Sequence, residues 1–400
     1  MRVASTYFPR FAVAEINRKQ TEIAELQSQI ASGKQLLRPS DDPARFASTE
    51  SLDGAIARMA QFEKNTLVSR QRLTQQEGVY NNVIDSLQRL KELAITAGSD
   101  VMNDQDRSAI AAEARQLREQ LIDYANSRTP DGDYLFAGQK VGTRPFADAG
   151  GAVRYYGDQT RNYVQISDAR KVPVNDTGEA AFMQVPAGNG TYTTRLDPAN
   201  AGSALIEDDT VVDSAAWRNG RYTIEFSAPD RFSIIDSDSG ATVLGDQPYQ
   251  AGEAITFDGI RFRISGQPQA GDRLYIEPAG RHSVFDVADR LLAALDQPRT
   301  TPAEQARARH LLDGAIGELD QALEHFQALR SDLGGRMNYV DRTAAENDSL
   351  KYMLEKSRSE AQDTDYAAAV SKLEYQMSTL EAVRKTYLQL GNLSLFSYFR

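Results

Sequence analysis

The sequence predicts an α+β protein in which both chain ends form a long antiparallel α-helical coiled coil or bundle, with an antiparallel β-domain inserted in the middle. Of the 27 glycines, 18 lie between Asp131 and Arg281, and glycine favours turns over element interiors. On either side of that section, apolar residues recur every seven positions. Such a repeat keeps one stripe of a helix facing a partner helix.

Composition excludes several classes of function. The net charge of −11 argues against a nucleic-acid partner, because phosphate recognition needs clustered Lys and Arg. Cysteine is absent and only three histidines occur, which excludes disulfides and thiol chemistry and leaves little material for a transition-metal site. No run approaches the roughly 18 apolar residues of a membrane span. The first residues lack the uninterrupted apolar core of a cleaved signal peptide, since Arg10 and Glu15 break it.

The N-terminal flank contains start and stop signals for three helices. Its first apolar stripe comprises Ile16, Ile23, Leu26, Ile30 and Leu37. Ser40-Asp41-Asp42-Pro43 places a capping carboxylate before a helix that we expect to reach Ala97. That helix carries the stripe Leu73, Tyr80, Val83, Leu87, Leu90 and Ala94. Asn103-Asp104 opens the third helix, which ends before Thr129-Pro130.

The middle section alternates apolar and polar residues with period two, as strands do. Tyr222, Ile224 and Phe226 form one such strand. Asp258-Gly259 forms a two-residue hairpin turn between Phe257 and Ile260. The pattern indicates an antiparallel β-domain and leaves the choice between sandwich and barrel open.

The C-terminal flank begins with two capping signals. Ser283 with Asp286 starts one helix, and the capping box Thr301 to Glu304 starts the next. The heptad stripe that follows comprises Leu312, Leu319, Phe326, Leu333, Val340, Tyr366, Leu373, Leu380 and Tyr387. We expect Leu73 to Ala94 to pack against Leu312 to Val340 within the molecule.

Candidate chemical sites all have a simpler interpretation. Asp41-Asp42 is accounted for by helix capping, and Asp208-Asp209 by a polar loop. Asp236 to Gly240 lacks a calcium-loop glutamate at the required distance and is typical of a hairpin turn. His310 and His325 are expected at the solvated surface. No catalytic, cofactor or metal site is therefore predicted.

The two chain ends are the predicted functional surface. Alone together, the helices of residues 1–42 and 360–400 would bury too little surface to offset their ordering entropy. We therefore expect them to be disordered in the monomer and to fold when neighbouring subunits complete the core. The predicted interface residues are Ile16, Ile23, Leu26, Ile30, Tyr366, Leu373, Leu380, Tyr387 and Leu390. Residues 43–133 with 283–359 would then form a helical bundle, and residues 134–282 an outward-facing β-domain.

Short motifs at both ends carry a family resemblance. The N-terminal flank has Met1 to Thr6, Ser32-Gly33-Lys34 and then Pro39 to Pro43. Tyr134 to Gly138 is followed by Pro145-Phe146, and the chain closes with Asn392 to Tyr398. In this order the motifs resemble the flagellar hook-associated protein 3 (FlgL) family, relatives of flagellin. The similarity covers roughly residues 1–146 and 285–400, whereas 147–284 carries little family pattern.

The resemblance implies a structural part of the bacterial flagellum at the hook–filament junction, contributing to motility. There it would join hook-associated protein 1 (FlgK) to flagellin, in a ring of identical subunits. It also implies an extracellular location, reached through the flagellar type III apparatus without a cleaved signal, and an export chaperone (FlgN) on the C-terminal helix. Flagellin itself and a secreted glycan-binding protein using Trp217, Tyr222 and Tyr249 are the alternatives.

Overall fold

The computed structural model describes residues 4–99 and 102–396, excluding the side chains of residues 4–9, 208 and 390–396. The predicted α+β fold is confirmed. The helices are α1 Ala4–Ser32, α2 Pro43–Ala97, α3 Asp104–Ala125, α4 Gly178–Phe182, α5 Val284–Leu295, α6 Pro302–Gln362 and α7 Tyr366–Phe396. None of the helices within the described residues is long and apolar enough to span a bilayer.

The strands all lie between α3 and α5. They are β1 Phe146–Asp148, β2 Val153–Tyr155, β3 Tyr163–Gln165, β4 Lys171–Pro173, β5 Val185–Pro186, β6 Tyr192–Leu196, β7 Leu205–Val211, β8 Tyr222–Ala228, β9 Arg231–Asp236, β10 Thr242–Pro248, β11 Ala254–Phe257, β12 Ile260–Ser265, β13 Arg273–Pro278 and β14 Arg281–His282. The chain divides into two compact units, residues 1–64 with 343–400 (unit 1) and residues 65–342 (unit 2). Helices α2 and α6 contribute residues to both units.

The helical part of unit 2 is built on the predicted heptad stripes. Leu73, Tyr80, Leu87 and Phe326 are fully buried in one core. Ion pairs from Arg70 to Asp341 and from Lys91 to Asp320 show that α2 and α6 run antiparallel in this unit. The intramolecular packing predicted for the stripes Leu73 to Ala94 and Leu312 to Val340 is confirmed.

The β-domain contains two principal antiparallel sheets. One has the strand order β10-β9-β8-β13-β6, and the other β11-β12-β7. Apolar residues of both sheets, among them Ile224, Phe262 and Ile276, share one core. The predicted turn lies between Phe257 and Ile260, which pair directly. The two sheets resolve the open question of architecture in favour of two packed layers.

Predicted helix boundaries are confirmed where capping residues marked them. Asn103 caps α3 through Asp106, and Ser283 forms a capping box with Asp286 at the start of α5. Thr301 caps the start of α6, where its hydroxyl accepts the N–H of Glu304. These boundaries are local because a cap satisfies N–H groups within its own helical turn.

The first helix is shorter than its predicted apolar stripe, which extended to Leu37. Helix α1 ends at Ser32, and Gly33 follows with a φ of +72°, a left-handed conformation that commonly ends helices. Leu37 therefore lies in the connection to α2 and not in a helix. The break between α6 and α7 was also not predicted, although Asp365 caps α7 through the N–H of Ala368.

The expectation of solvated histidines on α6 was wrong. His310 is buried, and its Nε2 lies 3.2 Å from the carbonyl oxygen of Thr194. Nε2 of His325 lies 3.0 Å from the carbonyl oxygen of Ala181. Segments far away in sequence cover this face of the helix, and helical periodicity alone carries no information about them.

Candidate assembly interface

Helices α1 and α7 of unit 1 pack against each other. Lys19, which lies between Ile16 and Ile23 of the α1 stripe, donates to Oε1 of Gln376 on α7 at 2.9 Å. Lys34 forms an antiparallel bridge with Asp363. Residue numbers thus rise from 19 to 34 along the first segment while those of their partners fall from 376 to 363, so the two helices run antiparallel.

Backbone hydrogen bonds fix the connections at the base of this helix pair. The N–H of Gln35 donates to the carbonyl of Gln362 at 2.7 Å, and the N–H of Thr364 donates to the carbonyl of Gly33 at 2.9 Å. A Cβ at Gly33 would lie 3.1 Å from the hydroxyl of Tyr366. The two interhelical connections are thus tied to each other, and they hold α1 beside α7.

The carboxylates of Asp41 and Asp42 are occupied by backbone groups. Asp42 accepts the N–H groups of Ala44 and Arg45 at the start of α2, at 3.1 and 3.0 Å. Asp41 accepts the N–H groups of Leu37 and Arg38 at 3.1 and 2.8 Å. The pair closes a loop and caps a helix, in agreement with the capping interpretation. Among the described residues there is no group of three or more His, Cys, Asp or Glu arranged to hold a metal ion.

The predicted interface residues lie at three levels of burial. Leu26 and Leu380 are buried. Ile16, Ile23, Ile30, Leu373 and Tyr387 are half-buried, and Tyr366 is exposed. The side chain of Leu390 lies outside the described residues. The seam positions of α1 and α7 therefore face inward to a large degree.

A second set of apolar residues in unit 1 is exposed, and of its members only Tyr366 was among the predicted interface residues. We call it the outer apolar set: Phe11, Val13, Leu350, Tyr352, Met353, Tyr366, Val370, Tyr375, Met377 and Leu388. Tyr375 and Leu388 leave 69% and 65% of their surface in solvent. The available signal was that α7 carries apolar residues on more than one face, which is typical of a helix covered on several sides.

Comparison with known proteins places the chain in a family. The bacterial flagellin N-terminal helical region matches residues 9–141. FlgL of Xanthomonas campestris is 31% identical, with a TM-score of 0.72, over 77% of this chain and 99% of that protein. The flagellar junction protein FlgL of Legionella pneumophila is 31% identical, with a TM-score of 0.72, over 79% of this chain and 99% of that protein.

The chain belongs to the FlgL family. Flagellar hook-associated protein 3 of Salmonella typhimurium is 29% identical over 46% of this chain, and the matched region covers 58% of that relative's length. The structures from Xanthomonas and Legionella, by contrast, are matched over nearly their full length. This member of the FlgL family is a flagellar protein whose relatives are structural components, and the fold in the terminal regions is that of the flagellin-like class.

Proposed function

We propose that this chain is a non-enzymatic structural adaptor at the hook–filament junction of the bacterial flagellum. It joins hook-associated protein 1 to the flagellin filament through its terminal helices and forms a ring with copies of itself. Membership of the FlgL family supports the location. The outer apolar set carries the proposal for how the junction is made.

Of the 18 exposed large apolar side chains among the described residues, ten lie in unit 1, which is the smaller unit. Such a density of exposed apolar residues is typical of an interaction surface. Burying a side chain such as Tyr375, Met377 or Leu388 against a neighbour would contribute about 1.5–3 kcal/mol each. Several such contacts per subunit, repeated around a ring, would hold an assembly together without covalent links. The half-buried positions, such as Ile23 and Leu373, would be covered completely at the same time.

The same surface bears on export. The subunit would leave the cell through the flagellar type III apparatus, and α7 with its exposed Tyr375 and Met377 would associate prematurely in the cytoplasm. Binding of the export chaperone FlgN to α7 would cover these residues until secretion. Extracellular assembly then follows once the chaperone has been released.

Deletion of the coding sequence tests the location. The deletion strain should make hooks but release flagellin into the medium, because the filament has no junction on which to grow. Electron microscopy and an immunoblot of the culture medium measure both. Attached filaments of normal length in that strain would contradict the proposal.

A pair of tyrosine variants tests the surface. Complementation with Tyr375→Ser, combined with Met377→Ser, should leave the strain non-motile, while the purified monomer unfolds within about 0.5 kcal/mol of wild type. Tyr163→Ser is the matched control, because Tyr163 is also exposed (59%) but lies on β3 in unit 2. If the α7 variant swam and the β3 variant did not, the outer apolar set of unit 1 would not form the assembly interface.

Flagellin is the close alternative, because it shares the helical class. A flagellin should grow long filaments when purified monomer is seeded at physiological salt, whereas an adaptor should stay monomeric or form short caps. The FlgL-family assignment favours the adaptor. Long filaments built of this chain alone would reverse that preference.

The glycan-binding alternative depends on aromatic rings that could stack on a sugar. Tyr222 is buried, and the ring of Trp217 lies 5.6 Å from that of Tyr192 and 6.0 Å from that of Tyr222. The hydroxyl of Tyr249 donates to the carbonyl of Gly266 at 2.8 Å. These rings belong to the β-domain core. A glycan-array signal abolished by Trp217→Ala would revive the alternative.

A further inference from the structure

A cavity of about 980 Å³ lies in unit 2 among β6, β7, the link from β13 to β14, and α6. Strands β6 and β7 each lie at the end of their sheet, so both turn an edge without a neighbouring strand toward this region. The volume is in the range of small-molecule sites. None of the family motifs or the outer apolar set contributes to its wall.

Two of the most buried polar side chains in the wall carry atoms that have no hydrogen-bond partner. The side chains of His282 and Glu318 are 8% and 6% exposed. Neither ring nitrogen of His282 is hydrogen-bonded, and Oε2 of Glu318 has no partner either. Nε2 of His282 lies 3.9 Å from that oxygen, beyond hydrogen-bond range. Buried polar atoms are normally paired, so this pair is incomplete without a third group.

The protonation states at this pair favour a ligand that donates hydrogen bonds. Burial, together with the neighbouring Arg290, lowers the pKa of His282 to about 4, so the ring is neutral near pH 7 and offers one acceptor nitrogen. Burial raises the pKa of Glu318, and the guanidinium of Arg290, which donates to Oε1, opposes that rise. The buried end thus presents two acceptor atoms, Oε2 of Glu318 and one ring nitrogen of His282.

Four arginines line the cavity, and each is already engaged. Arg290 donates to Oε1 of Glu318, and Arg281 donates to the carbonyl of Gln184. Arg195 and Arg309 have more than half of their side-chain surface in solvent, at 54% and 65%. Arg195 pairs with Glu277 at 3.8 Å, and Arg309 pairs with Glu207 at 3.6 Å. An anionic ligand would therefore have to displace existing pairs, whereas a cation would meet an acceptor that has no partner.

We propose that the cavity binds a primary ammonium group on an aliphatic stem, with N–H groups donating to Oε2 of Glu318 and to the acceptor nitrogen of His282. Ile206 and Ile316 lie in the wall and suit a methylene chain. The same chemistry is offered by a free aliphatic diamine and by a lysine side chain of a polypeptide. The imidazole nitrogen and the glutamate oxygen would accept two of the three N–H groups of such a head group.

Isothermal titration calorimetry of the full chain tests the site with three probes. Cadaverine represents the free diamine, Nα-acetyl-lysine methylamide represents a lysine side chain, and 1,5-pentanediol is the neutral control of equal length. We expect the preferred amine to bind at least tenfold more tightly than the diol, and the tighter of the two amines identifies the source. Equal affinity for the diol, or no heat from either amine at 10 mM (a probe concentration on the order of weak ligand affinities), overturns the proposal.

Variants locate the binding. Glu318→Gln should weaken amine binding at least tenfold, while Glu324→Gln, an exposed position on the same helix outside the cavity, should leave it within twofold. His282→Phe removes the second acceptor and should also weaken it, which decides the matter if Glu318→Gln fails to fold. Unchanged affinity in folded Glu318→Gln, or in folded His282→Phe, would overturn the assignment of the site.

Discussion

The carboxylate of Asp176 has no exposed surface and ties three parts of unit 2 together. Its Oδ2 accepts Nε2 of Gln76 at 2.6 Å, the hydroxyl of Tyr80 at 3.0 Å and a guanidinium nitrogen of Arg336 at 2.6 Å. Arg161 pairs with the other oxygen at 3.1 Å. Helices α2 and α6 are thereby joined to the segment before α4. This network explains why Gln76, a polar residue between Leu73 and Tyr80 of the apolar stripe, is buried.

Asp176→Asn should lower the free energy of unfolding by about 3 kcal/mol, because it removes the anion paired with Arg161 and the more buried of the two anions paired with Arg336. Urea unfolding followed by circular dichroism measures the change. Asp341→Asn is the control, since Asp341 and its partner Arg70 are both largely exposed, and it should cost less than about 1 kcal/mol. Equal costs for the two variants would show that the network contributes no more than a surface pair.

His282 makes the stability of unit 2 depend on pH. Its pKa is about 4 in the folded chain and 6.5 as the ordinary value, so its contribution is complete above pH 6.5 and is lost as the pH falls toward 4. From pH 7 to pH 5 we expect wild type to lose roughly 1–2 kcal/mol more than His282→Gln. Urea unfolding of both proteins at the two pH values gives this difference. Equal losses of stability in the two proteins would mean that groups other than His282 cause the pH dependence.

The conformation of the hairpin between β11 and β12 is determined partly by its local sequence and partly by a tertiary contact. Asp258 and Gly259 both have positive φ, 46° and 80°, as the turn type expected for an aspartate–glycine pair requires. Tertiary structure adds a second demand. A Cβ on Gly259 would lie 2.2 Å from the carbonyl oxygen of Asp213, which belongs to a different loop.

Gly259→Ala should therefore destabilise more than conformational preference alone explains. Gly240 is the matched control, because it also has a positive φ, 72°, in a hairpin turn but has open space around it. We expect Gly259→Ala to cost about 2 kcal/mol more than Gly240→Ala in urea unfolding. Similar costs would mean that the Asp213 loop moves aside freely.

The helices differ in how much of them could be predicted. The starts of α2, α3 and α5 follow from capping residues, and the heptad stripe of α2 carries that helix to Ala97, so these features depend on local signals. The end of α1 at Ser32 and the break before Tyr366 depend partly on hydrogen bonds between the two connections. Those bonds join residues more than 300 positions apart, such as Gln35 and Gln362, and no local pattern contains them.

For the whole molecule, we expect folding of the chain ends to be coupled to assembly. Brief trypsin treatment of dilute monomer should remove about forty residues at each end, a length set by the predicted segments 1–42 and 360–400. Arg18 and Arg384 are exposed sites in those ends. Mass spectrometry identifies the resistant fragment.

Exposed arginines in the long helices are the internal control for that experiment. Arg70 and Arg89 are 51% and 48% exposed but belong to α2, which packs in the core of unit 2. They should survive a digestion that cleaves Arg18 and Arg384. Cleavage at all four sites at one rate would mean that accessibility, and not coupled folding, governs the ends.

The sequence by itself determined the α+β class, the antiparallel helical pairing and the family, because heptads, caps, glycine-rich turns and family motifs are patterns of residues close together in the sequence. Only the tertiary structure decided which apolar residues of unit 1 stay outside, that Gln76 meets Asp176, and that His282 and Glu318 lie in one cavity. These outcomes depend on which segments cover a given face. Coverage is a property of distant chain segments packed together, and residue spacing does not encode it.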